Sequence, residues 1–110
     1  MVWRSLGSWS SRASLQTESF ICDTGMLRVR WEARSAGSSD DPGTLKVTLH
    51  SAVSGRPLVV AVDNRGPGQD TAYISEDPRD FFLVVEAAHL EWSVVVEEGV
   101  RAKATEAVHY

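Results

Sequence analysis

Hydrophobic and polar residues alternate along most of this chain. In "LRVRWEAR", Leu27, Val29, Trp31 and Ala33 fall on one side and Arg28, Arg30, Glu32 and Arg34 on the other, the signature of a half-buried strand in an antiparallel sheet. "TLKVTLHS" repeats the pattern with Leu45, Val47 and Leu49 inward. "LEWSVVVEE" repeats it with Leu90, Trp92, Val94 and Val96 inward and Glu91 and Glu97 outward. "PLVVAVD" and "DFFLVVEAA" are apolar on both faces and read as strands buried on both sides or facing a partner. Further strands are expected at 2–9, 15–21 and 70–75. Turn signals separate these runs: "CDTG", "SAGSSDDPG", "SGRP", "NRGPGQ" and "EDPRD" place glycine and proline where a chain reverses and a ladder stops. The junction at 88–89 lacks a glycine and reads as a tight hairpin in preference to one long bent strand. No helical period of useful length is present. The expectation is an all-β domain of about eight strands, a two-sheet antiparallel β-sandwich of jelly-roll or Greek-key type.

At 110 residues the chain is long enough for one core and too short for two, so residues 1–100 are assigned to a single domain and 101–110 to a frayed tail. A net charge of −4 argues against a general nucleic-acid binder, which would carry a basic excess. Cys22 is the only cysteine; no intrachain disulfide can form, and the residue reads as a small buried hydrophobe. "MVWRSLGSWSSRAS" has no uninterrupted apolar stretch of the signal-peptide kind. No run approaches the ~18 apolar residues of a membrane-spanning helix. The expected location is cytoplasmic, or that of a domain excised from an exported or envelope protein.

Chemistry-bearing residues are few. Arg28, Arg30 and Arg34 share the outward face of one strand, and Glu86, Glu91 and Glu97 are outward on later ones; neighbouring strands would set them as cross-strand ion pairs. Trp31 and Trp92 are in phase with core positions. Trp3 and Trp9 lie among small polar residues, and either stack on a sugar ring or a protein partner or tuck under the sandwich edge. Asp63, Asn64 and Asp70 in a glycine-rich stretch, with Asp77 and Asp80 beyond it, are the candidate calcium ligands, although the same residue types are ordinary turn formers. His50, His89 and His109 show no metal-ligand spacing, and no nucleophile or phosphate-loop motif occurs. The domain is therefore read as non-catalytic. Phe82, Val84 and Val95, expected together on an outer face, would be a covered apolar surface.

The order Trp3 and Gly7, then Thr17 to Phe20 ("TESF"), Leu27 to Trp31 ("LRVRW"), Phe82 to Glu86 ("FLVVE") and Trp92 to Glu97 ("WSVVVE") resembles an uncharacterised family of small bacterial β-sandwich domains. The resemblance spans most of the chain through short motifs. It implies the sandwich fold and an anchored or exported setting, and it carries no assigned activity. The functional expectation is a module mediating protein interaction or acting as a structural domain, with a protein partner or a homodimer joined through Phe82, Val84 and Val95. The alternative is a carbohydrate-binding or calcium-dependent ligand-binding module using Trp3 or Trp9.

Overall fold

The structure is a computed structural model that describes residues 1–37 and 40–101; of the expected tail, all but Arg101 lies outside the described residues. Among the described residues nine strands follow in chain order: β1 (Val2–Ser11), β2 (Leu15–Gln16), β3 (Phe20–Cys22), β4 (Met26–Ser35), β5 (Thr44–Ser51), β6 (Pro57–Arg65), β7 (Gly68–Ser75), β8 (Arg79–Ala88) and β9 (Leu90–Val100). They form two antiparallel sheets. The front sheet has the order β1-β9-β4-β7; the back sheet has β8-β5-β6, with β2 and β3 sharing the other edge of β8. Every connection except β2–β3 and β5–β6 carries the chain from one sheet to the other.

Alternation supplies the core. Leu27, Val29 and Ala33 of β4 and Trp92, Val94 and Val96 of β9 face Leu45, Val47 and Leu49 of β5 and Phe81, Leu83 and Val85 of β8, all buried. Burial of such side chains contributes roughly 1.5–3 kcal/mol each, the main favourable term for a domain without a disulfide. The Trp92 indole also donates from Nε1 to the Ala13 carbonyl at 3.0 Å, so its polar atom is satisfied. The expected strand at 15–21 is divided by Thr17, which is buried. Its N–H donates to the Leu83 carbonyl at 3.0 Å and its Oγ1 accepts the Leu83 N–H at 3.0 Å, so a side chain replaces one rung of the ladder.

Three expectations change. Residues 88–89 form no hairpin: β8 lies in the back sheet and β9 in the front. The chain turns the corner at His89, which has φ of 60°, and continues as the bent-strand alternative would. "PLVVAVD" is not sandwiched between neighbours; β6 is an edge strand, and two register shifts against β5 rotate it so that only Val62 is fully buried. "DNRGPGQD" is mostly strand, with only Gly66 and Pro67 between β6 and β7.

The β3–β4 turn depends on Gly25. Its φ is +76°, and an added Cβ would stand 1.9 Å from the Glu76 carbonyl oxygen, whose own residue donates its N–H to the Gly25 carbonyl at 2.8 Å. Gly55 has the same φ of +76° but nothing within 4 Å. Gly25→Ala is expected to destabilise by about 3 kcal/mol, combining left-handed strain with a forced backbone shift, and to lower Tm by about 10 °C. Gly55→Ala should show the strain alone, about 1 kcal/mol. Parallel thermal melts that gave equal shifts would show that the Gly25–Glu76 contact is not a constraint.

Candidate functional site

Three consecutive residues near the end of β9 organise one end of the front sheet: Glu97 outward, Glu98 inward and Gly99 beside Trp3. On the outer face, Ser5, Glu97, Arg28 and Tyr73 lie in one row across β1, β9, β4 and β7, and Ser8, Val95, Arg30 and Thr71 in the next. Glu97 Oε1 accepts from Arg28 Nε at 2.7 Å and lies 3.0 Å from Arg30 Nε. Hydrogen bonding from Arg28 holds the Glu97 carboxyl below the usual carboxylate range, against the opposing effect of burial. The Arg28 guanidinium also stands 4.4 Å from the Trp3 ring centroid, within cation–π range. Trp3 meets Tyr73 edge to face, with centroids 6.0 Å apart and planes at 61°. Its ring can lie across β9 because the residue opposite is glycine: a Cβ on Gly99 would come within 3.3 Å of the indole. Trp3, Met26, Tyr73 and Ile74 line a groove of about 190 Å³ beside this cluster. Tyr73 is 69% exposed and Met26 41%, so the cluster is presented to solvent.

On the inner side, Glu98 is fully buried. It pairs with Arg4, its register partner on β1, and accepts the Asp23 N–H at 3.0 Å and the Thr24 N–H at 3.4 Å. The Cys22 thiol donates to it at 3.6 Å. Burial pushes the Glu98 carboxyl up more than any other single influence, yet the donors from Arg4, Asp23 and Thr24 together outweigh it and leave the carboxyl below its ordinary value. Burial pushes the Cys22 thiol up, so it is a protonated donor at neutral pH. The carboxylate thus pins β1, the β3–β4 turn and β9 together under the outer cluster.

The expected arginine–glutamate pairing is found for Glu97 and Glu91, the latter 3.6 Å from Arg34 and 3.2 Å from Arg12. Glu86 instead lies on the back sheet opposite Lys46. Phe82, Val84 and Val95 do not come together. Phe82 and Val84 are on β8, on the outer face of the back sheet, and Val95 is on the front sheet, because the chain changes sheets at His89. Phe82 stacks on His50, with centroids 4.9 Å apart and planes at 23°. The two amino-terminal tryptophans part company. Trp9 is tucked inward, over Gly7 and against Phe20 at 5.8 Å, with Nε1 bonded to Glu18 at 2.9 Å; Trp3 is on the outer face. Among the calcium candidates, Asp63 faces Lys46 in register and Asp80 faces Ile21. Asp77 pairs with Arg79 at 3.3 Å, Asp70 accepts the Thr71 N–H, and Asn64 donates to the Gly66 carbonyl. These residues do not converge, and among the described residues no three His, Cys, Asp or Glu side chains are placed to hold a metal.

Tyr73, Met26, Arg4 and Glu98 were not singled out by sequence pattern, although Glu98 continues the inward phase of Leu90 to Val96. Compared with family models, curated proteins and solved structures, the chain matches none.

A carboxyl with a depressed pKa in the folded state stabilises the protein above its unfolded value of about 4.5, and that contribution is lost as pH falls through the folded value. Glu98→Gln should therefore be less stable than the wild type by roughly 1–3 kcal/mol at neutral pH, with the gap narrowing as pH falls below the ordinary carboxylate range. Urea denaturation at neutral and at acid pH checks this. A gap that stayed constant would remove charge from the account and leave only shape.

Proposed function

We propose that this protein is a non-catalytic interaction module whose contact surface is the Trp3–Met26–Arg28–Tyr73 patch on the outer face of the front sheet. The observation that supports it is the exposure of Tyr73 and Met26 beside a Trp–Arg pair already fixed by Glu97. Tyrosine, tryptophan, methionine and arginine are the residue types enriched at protein interfaces, and Trp, Tyr and Arg supply most binding hot spots. A patch fixed before binding loses little side-chain entropy on association. A sugar-stacking role is less well supported, since Arg28 covers a face of Trp3 and Trp9 is tucked inward.

Tyr73→Ser should leave the melt near that of the wild type, because the ring is mostly in solvent. It should weaken binding of a captured and purified protein partner tenfold or more, about 1.4 kcal/mol. Phe82→Ser, on the back sheet, should leave that affinity unchanged. A partner lost on Phe82→Ser and retained on Tyr73→Ser would move the interface to the Phe82–His50 stack. Retardation in a polysaccharide gel that Tyr73→Ser abolishes would favour the carbohydrate alternative.

A further inference from the structure

The lateral edges of the sandwich are not alike. β1 carries a bulge between Ser5 and Gly7. β2 and β3 are two and three residues long. β6 begins at Pro57 and shifts register twice against β5. Bulges, shortness and proline are the devices by which sheets keep a free edge from pairing with another chain. β7 has none of these three; of the protective devices it carries a single charge, Asp70, on the inward phase of the strand. Its eight residues, "GQDTAYIS", contain neither proline nor lysine. They pair with β4 without a shift from Met26–Ser75 to Ala33–Gly68 and meet no other strand in the front sheet among the described residues.

Two hydrogen bonds identify the groups on the free side. In an antiparallel ladder, alternate residues turn their N–H and C=O toward the neighbour and away from it. Glu76, next after β7, donates its N–H to the Gly25 carbonyl at 2.8 Å, on the β4 side; even-numbered residues of β7 therefore face β4. The Thr71 N–H goes instead to Oδ1 of the adjacent Asp70 at 2.8 Å, as a donor without a strand partner does. Gln69, Thr71 and Tyr73 thus present their backbone groups outward.

We infer that β7 is a self-association edge, at which a second copy of this chain adds its own β7 antiparallel and joins two front sheets into one. The strand is complementary to itself. Pairing about a two-fold axis at Thr71 sets Thr71 opposite Thr71 of the second copy, Gln69 opposite Tyr73, and Asp70 opposite Ala72. Every pair then shares one face of the sheet, so the inner and outer sides stay continuous. A threonine pair is a favourable cross-strand neighbour, and Asp70, the one charged residue of β7, never meets its own copy. Asp70 sets the strength: pairing must first release its bond to the Thr71 N–H, which keeps the association weak and reversible. An axis perpendicular to the sheet leaves both outer faces on the same side, so the dimer would present two Trp3–Tyr73 patches in one direction. That consequence rests on the proposed function; the pairing does not.

The test is sedimentation velocity over a concentration series together with amide hydrogen exchange, on the wild type, Thr71→Pro and Asp70→Ala. Proline at 71 removes an outward N–H and no bond to β4, so its melt should stay near the wild type. The expected results are a concentration-dependent dimer, a dimer constant at least about tenfold weaker in Thr71→Pro and tighter in Asp70→Ala. The Gln69, Thr71 and Tyr73 amides should gain protection as concentration rises, while Ala72 and Ile74 are protected throughout. If Thr71→Pro does not fold, Asp70→Ala and the exchange pattern still decide. A wild type monomeric at every soluble concentration, or a dimer indifferent to Thr71→Pro, would overturn the inference. Partner binding measured on monomeric Thr71→Pro tests the proposed function separately.

Discussion

The front sheet is arranged around the alternation of Glu97 and Glu98. Successive side chains of a strand point to opposite faces, so two adjacent glutamates at the end of β9 must serve two different environments. Glu97 goes out and takes Arg28 and Arg30; Glu98 goes in and takes Arg4 and the N–H groups of Asp23 and Thr24. A buried carboxylate is tolerated only when its lone pairs are filled, and no buried side-chain polar atom among the described residues lacks a partner. Removing Glu98 would therefore unsettle β1, the β3–β4 turn and β9 together. Gly99, next in line, leaves the space in which Trp3 lies. Three consecutive residues thus join the interior of the sandwich to its outer patch.

The strands were legible because each buries one face, and burial writes itself into sequence as period two. Leu27 to Ala33, Leu45 to Leu49 and Leu90 to Val96 all point as their phase requires. The sheet to which a strand belongs was not legible, because alternation is the same in either sheet. That is why the pattern groups Phe82, Val84 and Val95: they share an outward phase, but the corner at His89 sends their strands to opposite sides of the molecule. Glu86 falls outside the expected pairing for the same reason. Local signals failed at β6 as well, where two bulges change which residues face inward and no residue type announces a bulge in advance.

The site was half legible. The arginine cluster and Trp3 were visible as residues out of place on a polar face, but their meaning depended on register. Arg28 sits between Glu97 and Tyr73 only because β4 pairs with β9 on one side and β7 on the other, and both contacts are long-range. Tyr73 lies in the expected strand at 70–75, but nothing in that stretch names the strand that it pairs with. The tryptophans show the same limit: Trp3 and Trp9 have similar local surroundings in sequence, yet the bulge between Ser5 and Gly7 and the phase of β1 send Trp9 inward and Trp3 outward.

The two ends of the front sheet illustrate why charge alone is a poor guide to a binding surface. At one end Arg12 and Arg34 share Glu91, with both guanidinium side chains more than 70% exposed; such pairs are screened and hold little fixed geometry. At the other, Arg28 is 22% exposed, bonded to a nearly buried carboxylate and laid against an indole. Its position is set by two neighbours instead of one, so the groups around it keep their places without a ligand. A partner meeting this end finds a surface already ordered, whereas at the Arg12 end it would have to order the side chains itself. Preorganisation, more than the number of arginines, is what favours the Trp3–Tyr73 end as the proposed contact surface.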